Sequence, residues 1–284
     1  MGAADRNQWS IFVTLPAETE RKLLERVTVL ANDRVTQGVG LLVLESPRVA
    51  RAVRPGQFVH LRISTGTDFV LRRPFSIHRV EDDRLHILYQ VLGRGTRALA
   101  EKRSGEEMDL IGPLGHGWHI PDGAAHALLV AGGLGAAPMG MLAEELSAAG
   151  VAVTVAQGAP CADRLVGRGV FDATARRVET ATDDGSEGQR GFVTALVESL
   201  LVSDRPDIVY VCGPEAMARI VSAQAAEAGV PCQVSLERLM ACGIGACLSC
   251  VVTTLDGQRR ACVDGPVFDA ERVVWDTSEI PPKH

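Results

Sequence analysis

The spacing of apolar residues changes character twice along the chain. Between residues 27 and about 120, apolar positions come in short alternating or β-branched runs, separated by glycine, proline and charged residues. Segments 39–45, 56–63, 84–92 and 106–112 each read as a strand, and short strands at such close spacing predict an antiparallel barrel. From about 124 to 234, strand segments at 125–133 (a continuous apolar run), 151–159, 177–182 and 207–213 alternate with helical stretches at 136–150 (amphipathic), 192–202 and 215–229. That alternation predicts a parallel, doubly wound sheet. Past residue 235 comes a glycine- and cysteine-rich loop, then a hairpin pattern of 251–255, an Asp256-Gly257 turn and 258–263. Ahead of the barrel, 18–25 mixes charges with Leu23 and Leu24 in a way that suits a short helix. The expected class is an α+β multidomain chain: an extension (1–26), an antiparallel β-barrel (27–122), a parallel α/β nucleotide-binding domain (123–234), a small C-terminal module (235–276) and a loose polar tail (277–284).

Composition narrows the class without naming a function. A chain of 284 residues, 46% hydrophobic and 23% charged, can bury a substantial core. Its net charge of −6 is spread evenly, so neither a nucleic-acid footprint nor a polybasic membrane patch is expected. The opening MGAADRNQWSIFV lacks the apolar stretch of a secretory signal. The longest uncharged run, 127–143, is interrupted by GGLGAAP and reads as strand, turn and helix start rather than a membrane span. A soluble, cytoplasmic protein is the expectation.

Seven cysteines, an odd number in a chain of this length, point to a reducing compartment and a metal rather than to disulfides. Cys242, Cys247, Cys250 and Cys262 follow C-x4-C-x2-C-x11-C, the ligand rhythm of a plant-type [2Fe–2S] centre. Gly243, Gly245 and Ala246 leave room for the backbone to curl and aim N–H groups at sulfur, while Met240, Ala241 and Leu248 would form an apolar collar. The hairpin gives the separation of eleven a reason, because it returns Cys262 to the loop. A structural zinc site is the other reading of four thiols, although it usually shows two short cysteine knuckles and Cys262 stands alone. Cys161 and Cys232 read as incidental.

Other candidates are weaker singly. Arg73, Pro74, Phe75 and Ser76 place a guanidinium, a ring and a hydroxyl on one extended segment, fit for a phosphate and a flat ring system, or simply an Arg-Pro turn. Gly95 and Thr96 open a helix, where they suit a phosphate or a plain N-cap. His116 reads as a turn residue. Gly132, Gly133 and Gly135 lie between a strand and a helix, the context of a dinucleotide fingerprint, but Pro138 replaces its third glycine and no acid ends the second strand. Cys212 closes a strand at its carboxyl edge, either beside a nicotinamide or as a core thiol. No catalytic triad or carboxylate pair stands out.

Taken together and in order, RRPFSI, LYQVLGRGT, GPLGHGW, VAGGLGAAP, TDDGSEGQRGFVT, VYVCGP, ACGIGACLSC and CVDGPVF resemble the electron-transfer subunits of two-subunit, NAD-linked dihydroorotate dehydrogenases, members of the ferredoxin–NADP reductase superfamily. The resemblance covers about 27–276. It implies an oxidoreductase subunit with FAD, NAD and a [2Fe–2S] cluster as cofactors. Residue by residue, it implies FAD contacts at Arg73, Pro74, Phe75, Ser76, Leu88, Tyr89, Gln90, Gly95 and Thr96. It places NAD at Gly132, Gly133, Gly135 and Cys212, and the cluster on the four cysteines already named. Phe75 departs from the superfamily's frequent tyrosine, and 1–25 extends beyond the family's usual start. The implied partner is an FMN-containing catalytic subunit that oxidises dihydroorotate in de novo pyrimidine biosynthesis, in a two-plus-two heterotetramer that docks around residues 242–250. Electron-transfer subunits of NAD(P)H–ferredoxin oxidoreductase and sulfide dehydrogenase share the TDDGS and CVDGP stretches, but their first ligand position tends to be Asp, so Cys242 favours the dihydroorotate system. A flavin suits the middle station, because a nicotinamide exchanges two electrons as hydride and a [2Fe–2S] centre carries one.

Overall fold

The computed structural model describes residues 22–64 and 69–275. The first half is one antiparallel sheet built from β1 (Leu23–Thr36), β2 (Val39–Glu45), β3 (Phe58–Arg62), β4 (Arg73–Ser76), β5 (Arg79–Glu81), β6 (Arg84–Gln90) and β7 (Glu107–Leu114). Two short helices, α1 (Pro47–Ala50) and α2 (Arg94–Ala100), sit in its connections. Strand order is β4-β3-β7-β1-β2-β6-β5, so β4 and β5 form opposite edges. Yet only Ile77 and His78 separate them in the chain. The sheet must therefore curl until its edges meet, and Val29, Leu42, Leu44, Leu61, Ile77, Ile87 and Leu110 fill the interior without solvent contact.

β2 runs as expected, and the other three strands and the 71–77 segment are found within a few residues of their expected limits. The expected helix over 18–25 is not present at its described end. Leu23, Leu24 and Glu25 instead open β1, opposite Gly112, Ile111 and Leu110 of β7. Glu25 is 6% exposed; its carboxylate accepts from Ser46 Oγ (2.7 Å) and from the N–H groups of Arg48 and Val49 (both 3.0 Å). This carboxylate thus caps the first turn of α1 from inside the fold. Residues 18–21, the rest of the extension and the tail from 276 lie outside the described residues.

The second sheet comprises β8 (His126–Gly132), β9 (Ala152–Ala159), β10 (Arg177–Thr182), β11 (Gln189–Arg190), β12 (Ile208–Cys212) and β13 (Cys232–Ser235), joined through α3 (Met139–Ala148), α4 (Arg168–Thr174), α5 (Val193–Ser203) and α6 (Glu215–Glu227). Every pairing among these strands is parallel, in the order β11-β10-β9-β8-β12-β13. One face packs Leu129, Val153 and Val155 against α3 and α4; the other packs Leu128, Val130 and Val211 against α5 and α6. Covered on both sides, the central strands β8 and β12 read as almost unbroken apolar runs. The short helix α4 was not among the expected elements.

The C-terminal segment is less separate than expected. Its hairpin, β14 (Val251–Thr254) and β15 (Gly257–Arg260), turns at Leu255-Asp256, one residue before the expected place, since Thr254 pairs with Gly257. Its last strand, β16 (Val267–Asp269), joins the nucleotide sheet antiparallel to β13, with Ser235 opposite Val267. Cys250, Val252, Ala261, Cys262 and Phe268 share one apolar core with that sheet. Among the described residues, no helix is long and apolar enough to cross a membrane.

Candidate functional site

Three parts of the fold meet in one cleft of about 230 Å³. Its walls are Phe58, Pro74, Phe75 and Ser76 from the barrel, Leu134, Pro138 and Cys212 from the nucleotide sheet, and Ser235, Glu237 and Met240 from the segment leading to the cysteines. A larger groove, about 400 Å³, runs past His116, His119 and Arg259, and none of the expected site residues lines it. Chemistry favours the smaller cleft, where candidates from three separate segments converge.

On the barrel side, β4 is an edge strand paired only with β3. The Arg73 guanidinium is half-buried, with Nη1 donating to Leu71 O (2.6 Å) and Arg72 O (3.1 Å). It lies against the first turn of α2, where a Cβ on Gly95 would stand 3.2 Å from Arg73 Nε. Thr96 Oγ1 accepts from the N–H groups of Leu92 (2.9 Å) and Gly93 (3.1 Å), so this hydroxyl serves the turn itself. Phe75 meets Tyr89 edge-on, with centroids 6.3 Å apart. The Tyr89 ring faces the barrel core and its hydroxyl donates to Asn32 Oδ1 (2.8 Å), so what Tyr89 can offer a ligand is its backbone. Beyond His86, no strand among the described residues covers the outer edge of β6, and Leu88, Tyr89 and Gln90 sit on that open stretch.

The three glycines of the nucleotide sheet are needed for different reasons. Gly133 has φ +55°, which disfavours a side chain. A Cβ on Gly132 would press into Pro214 and Met217, and one on Gly135 into the backbone of Cys212 and Gly213. Cys212 is buried, and burial, reinforced by the Glu237 carboxylate, pushes its thiol up to about 12. It is held neutral. Glu237 is open to solvent on its cleft side but deep enough among protein atoms that burial raises its carboxyl pKa.

The cysteine loop owes its curl to left-handed residues: Gly243 (φ +71°), Gly245 (+87°) and Leu248 (+57°). This curl aims the N–H groups of Ile244 (3.5 Å) and Ala246 (3.3 Å) at Cys242 Sγ. Burial raises the Cys242 pKa, but the Ile244 and Cys247 N–H groups, the Cys247 side chain and the Ala246 N–H together outweigh it and bring the thiol to about 6. Cys262 goes the other way, to about 12, through burial and the neighbouring Cys250 thiol. Of the other thiols, Cys247 bears on Cys242, and Cys250 bears most on Cys262. Among the described residues, no group of three or more His, Cys, Asp or Glu side chains closes on a single ion position. The hairpin does return Cys262 as expected, the Ala261 N–H reaching Cys250 O at 2.8 Å. Arg260 braces the loop, with Nη1 on Gly245 O (3.2 Å) and Nε on Asp264 (3.1 Å). His116, expected to be a turn residue, is tied to the same module through Nδ1 and Val263 O (2.6 Å).

The expected collar is only partly closed. Leu248 is 63% exposed and forms an outward rim with Leu239 (89%) and Ile244 (45%) around the exposed Cys247. Sequence reasoning missed Glu237 and Ser235, which carry no motif of their own, and His60 on β3. The His60 ring is fully buried against the loop, where a Cβ on Gly243 would collide with it. Burial lowers its pKa.

Residues 237–274 match the iron–sulfur cluster binding domain of dihydroorotate dehydrogenase B, and residues 129–223 match the oxidoreductase NAD-binding domain. The chain is 41% identical over 254 residues to the dihydroorotate dehydrogenase B (NAD(+)) electron transfer subunit of Desulforamulus reducens, spanning 87% of this chain and 97% of the relative. Its counterpart in Geobacillus thermodenitrificans is 36% identical over 88% of this chain and 98% of its own length. A solved structure of an NADH-dependent reduced ferredoxin-NADP oxidoreductase, described in connection with flavin-based electron bifurcation, superposes with a TM-score of 0.80 at 31% identity, covering 88% of this chain and 90% of that one.

Proposed function

Because the chain belongs to the family of dihydroorotate dehydrogenase B (NAD(+)) electron transfer subunits, we propose that it carries electrons between a dihydroorotate-oxidising partner subunit and NAD+, with FAD and a [2Fe–2S] cluster as its cofactors. The observation that carries this reading is the shared cleft, which the barrel edge, the end of β12 and the approach to Cys242 all line. When bound, the nicotinamide exchanges a hydride, the cluster exchanges single electrons and the flavin deals in both, so the protein need only bind, orient and insulate them.

The residues present fit those groups. A two-iron centre takes four thiolates, and Cys242, Cys247, Cys250 and Cys262 supply four free thiols from one loop and hairpin. Backbone N–H groups already face the Cys242 sulfur, the arrangement that favours a thiolate. On the barrel, Arg73 would hold the FAD pyrophosphate beside Gly95 and the turn fixed by Thr96. Pro74, Phe75 and Ser76 would line the flavin ring, with the open edge of β6 at Leu88, Tyr89 and Gln90 alongside. On the sheet, Gly132, Gly133 and Gly135 would admit NAD at the carboxyl ends of β8 and β12. A neutral Cys212 would then offer the nicotinamide a polarisable, uncharged wall.

The exposed rim of Leu239, Ile244 and Leu248 supports docking of the partner beside Cys247. That partner would be the FMN-bearing catalytic subunit, in a two-plus-two assembly serving pyrimidine biosynthesis in the cytoplasm. A second reading, an electron-transfer subunit for a ferredoxin oxidoreductase, is favoured by the 0.80 TM-score to the ferredoxin-NADP enzyme. Anaerobic purification with the dihydroorotate-oxidising subunit, followed by counts of FAD, FMN, iron and acid-labile sulfide, tests the assignment. Dihydroorotate-dependent NAD+ reduction by the assembly is expected. Reduction of ferredoxin but no coupling to dihydroorotate would replace it with the second reading.

A further inference from the structure

We propose that His60 is the hydrogen-bond donor that the barrel presents to the cluster's sulfur shell beside Cys242, a positioning residue that sets how readily the cluster is reduced. This rests on the reading of the four cysteines as cluster ligands. His60 has no solvent exposure, and neither ring nitrogen has a hydrogen-bond partner. No other buried side chain among the described residues has two such atoms. In either protonation state an imidazole carries at least one N–H, and a buried donor without an acceptor is destabilising. The ring packs on the Cys242–Gly243 peptide, and its Nδ1, Cγ and Cε1 occupy the space a Cβ on residue 243 would need. The Cys242 and Arg72 backbones both approach the ring closely enough to favour its protonated form, but neither ring nitrogen finds an aligned hydrogen bond there.

From the other side, Arg72 Nη1 donates to His60 O (3.4 Å), and His60 stands opposite Pro74, which lines the cleft. One residue therefore touches the cysteine loop and is registered to the strand expected to hold the flavin. The well-aligned acceptor that these two backbones do not provide is of the kind a thiolate or bridging sulfide supplies. A donor to cluster sulfur favours the reduced, more negative state and so raises its potential.

The test uses the full chain as wild type, His60→Leu and His60→Gln, each first assayed for iron and acid-labile sulfide. In an EPR-monitored redox titration, H60L should disfavour cluster reduction about tenfold, a midpoint roughly 59 mV more negative. H60Q, which keeps an N–H, should recover most of that shift. Wild-type protein labelled with ¹⁵N-histidine should show a weak nitrogen coupling to the reduced cluster in pulsed EPR, and H60Q should lack it. A clustered H60L with the wild-type midpoint would overturn the proposal. Should H60L fail to hold the cluster, absence of the coupling in labelled wild type overturns it equally. Wild-type protein without iron or sulfide would instead sink the cluster assignment itself.

Discussion

Replacing Gly135 with alanine probes the contact that seats the first turn of the nucleotide sheet on β12. The added Cβ would meet three backbone atoms: O and C of Cys212, and N of Gly213 at 2.8 Å. Backbone at the end of a central strand cannot swing aside as a side chain can, so either the turn or the end of β12 must move. Overpacking of this kind costs about 1–3 kcal/mol. The displacement falls on Cys212, which lines the cleft, and a misplacement on the order of 1 Å at a reacting centre can cost up to about a hundredfold in rate. Gly169→Ala is the matched control. Gly169 lies in α4, has no heavy atom within 4 Å of its would-be Cβ and does not have positive φ, so alanine there should stabilise by about 0.5–1 kcal/mol. Urea denaturation followed by circular dichroism, with kcat/KM for NADH-driven reduction of a soluble dye, measures both effects. G135A should lose stability and fall about ten- to a hundredfold in kcat/KM, while G169A keeps its activity. If G135A matched G169A in both assays, the tight seat on Cys212 would have no bearing on stability or nicotinamide use.

Three further outcomes are expected. Cys247→Ser, at an exposed loop position, should abolish iron and acid-labile sulfide yet leave FAD bound and dye reduction by NADH intact; loss of flavin as well would mean that the loop also supports the barrel. Arg73→Gln removes a charge-assisted phosphate contact of about 1.5–3 kcal/mol, so FAD should bind about ten- to a hundredfold more weakly, as read by flavin fluorescence during dilution. Stability should fall as pH drops below about 6.5, because burial lowers the folded pKa of His78 and of His126, and in that window the unfolded chain binds the extra protons. The slope is at most about 1.36 kcal/mol per pH unit for each proton. Comparing urea midpoints at pH 7.5 and 5.5, His78→Gln and His126→Gln should each flatten the dependence, and unchanged slopes would refute the assignment.

Much of the fold is legible in the chain because its strands are covered in characteristic ways. Runs such as 127–131 and 208–212 are buried on both faces and stay apolar throughout, while burial alternates along most of β2 because one face of it meets the barrel core. The cysteines are legible because ligand chemistry fixes residue type and loop length together. What periodicity cannot carry is partnership across distance. Glu25 suggests solvent because it is charged, and only the three donors from Ser46, Arg48 and Val49 make its burial tolerable. β16 is three residues long and has no pattern of its own; it is a strand because β13 offers it an edge. His60 and Glu237 show the same limit at the site, since each matters through what it faces.

The pairing of Ser235 with Val267 has one more implication. The chain leaves the nucleotide sheet at one residue and re-enters it directly opposite, so everything between, cysteines included, is a bubble in what would otherwise be an ordinary antiparallel hairpin. Topologically the iron-binding portion is an insertion whose two feet share one rung. A short turn in its place would leave the ladder between β13 and β16 whole, whereas lengthening either foot would draw Cys250 and Cys262 out of the core they share with the sheet.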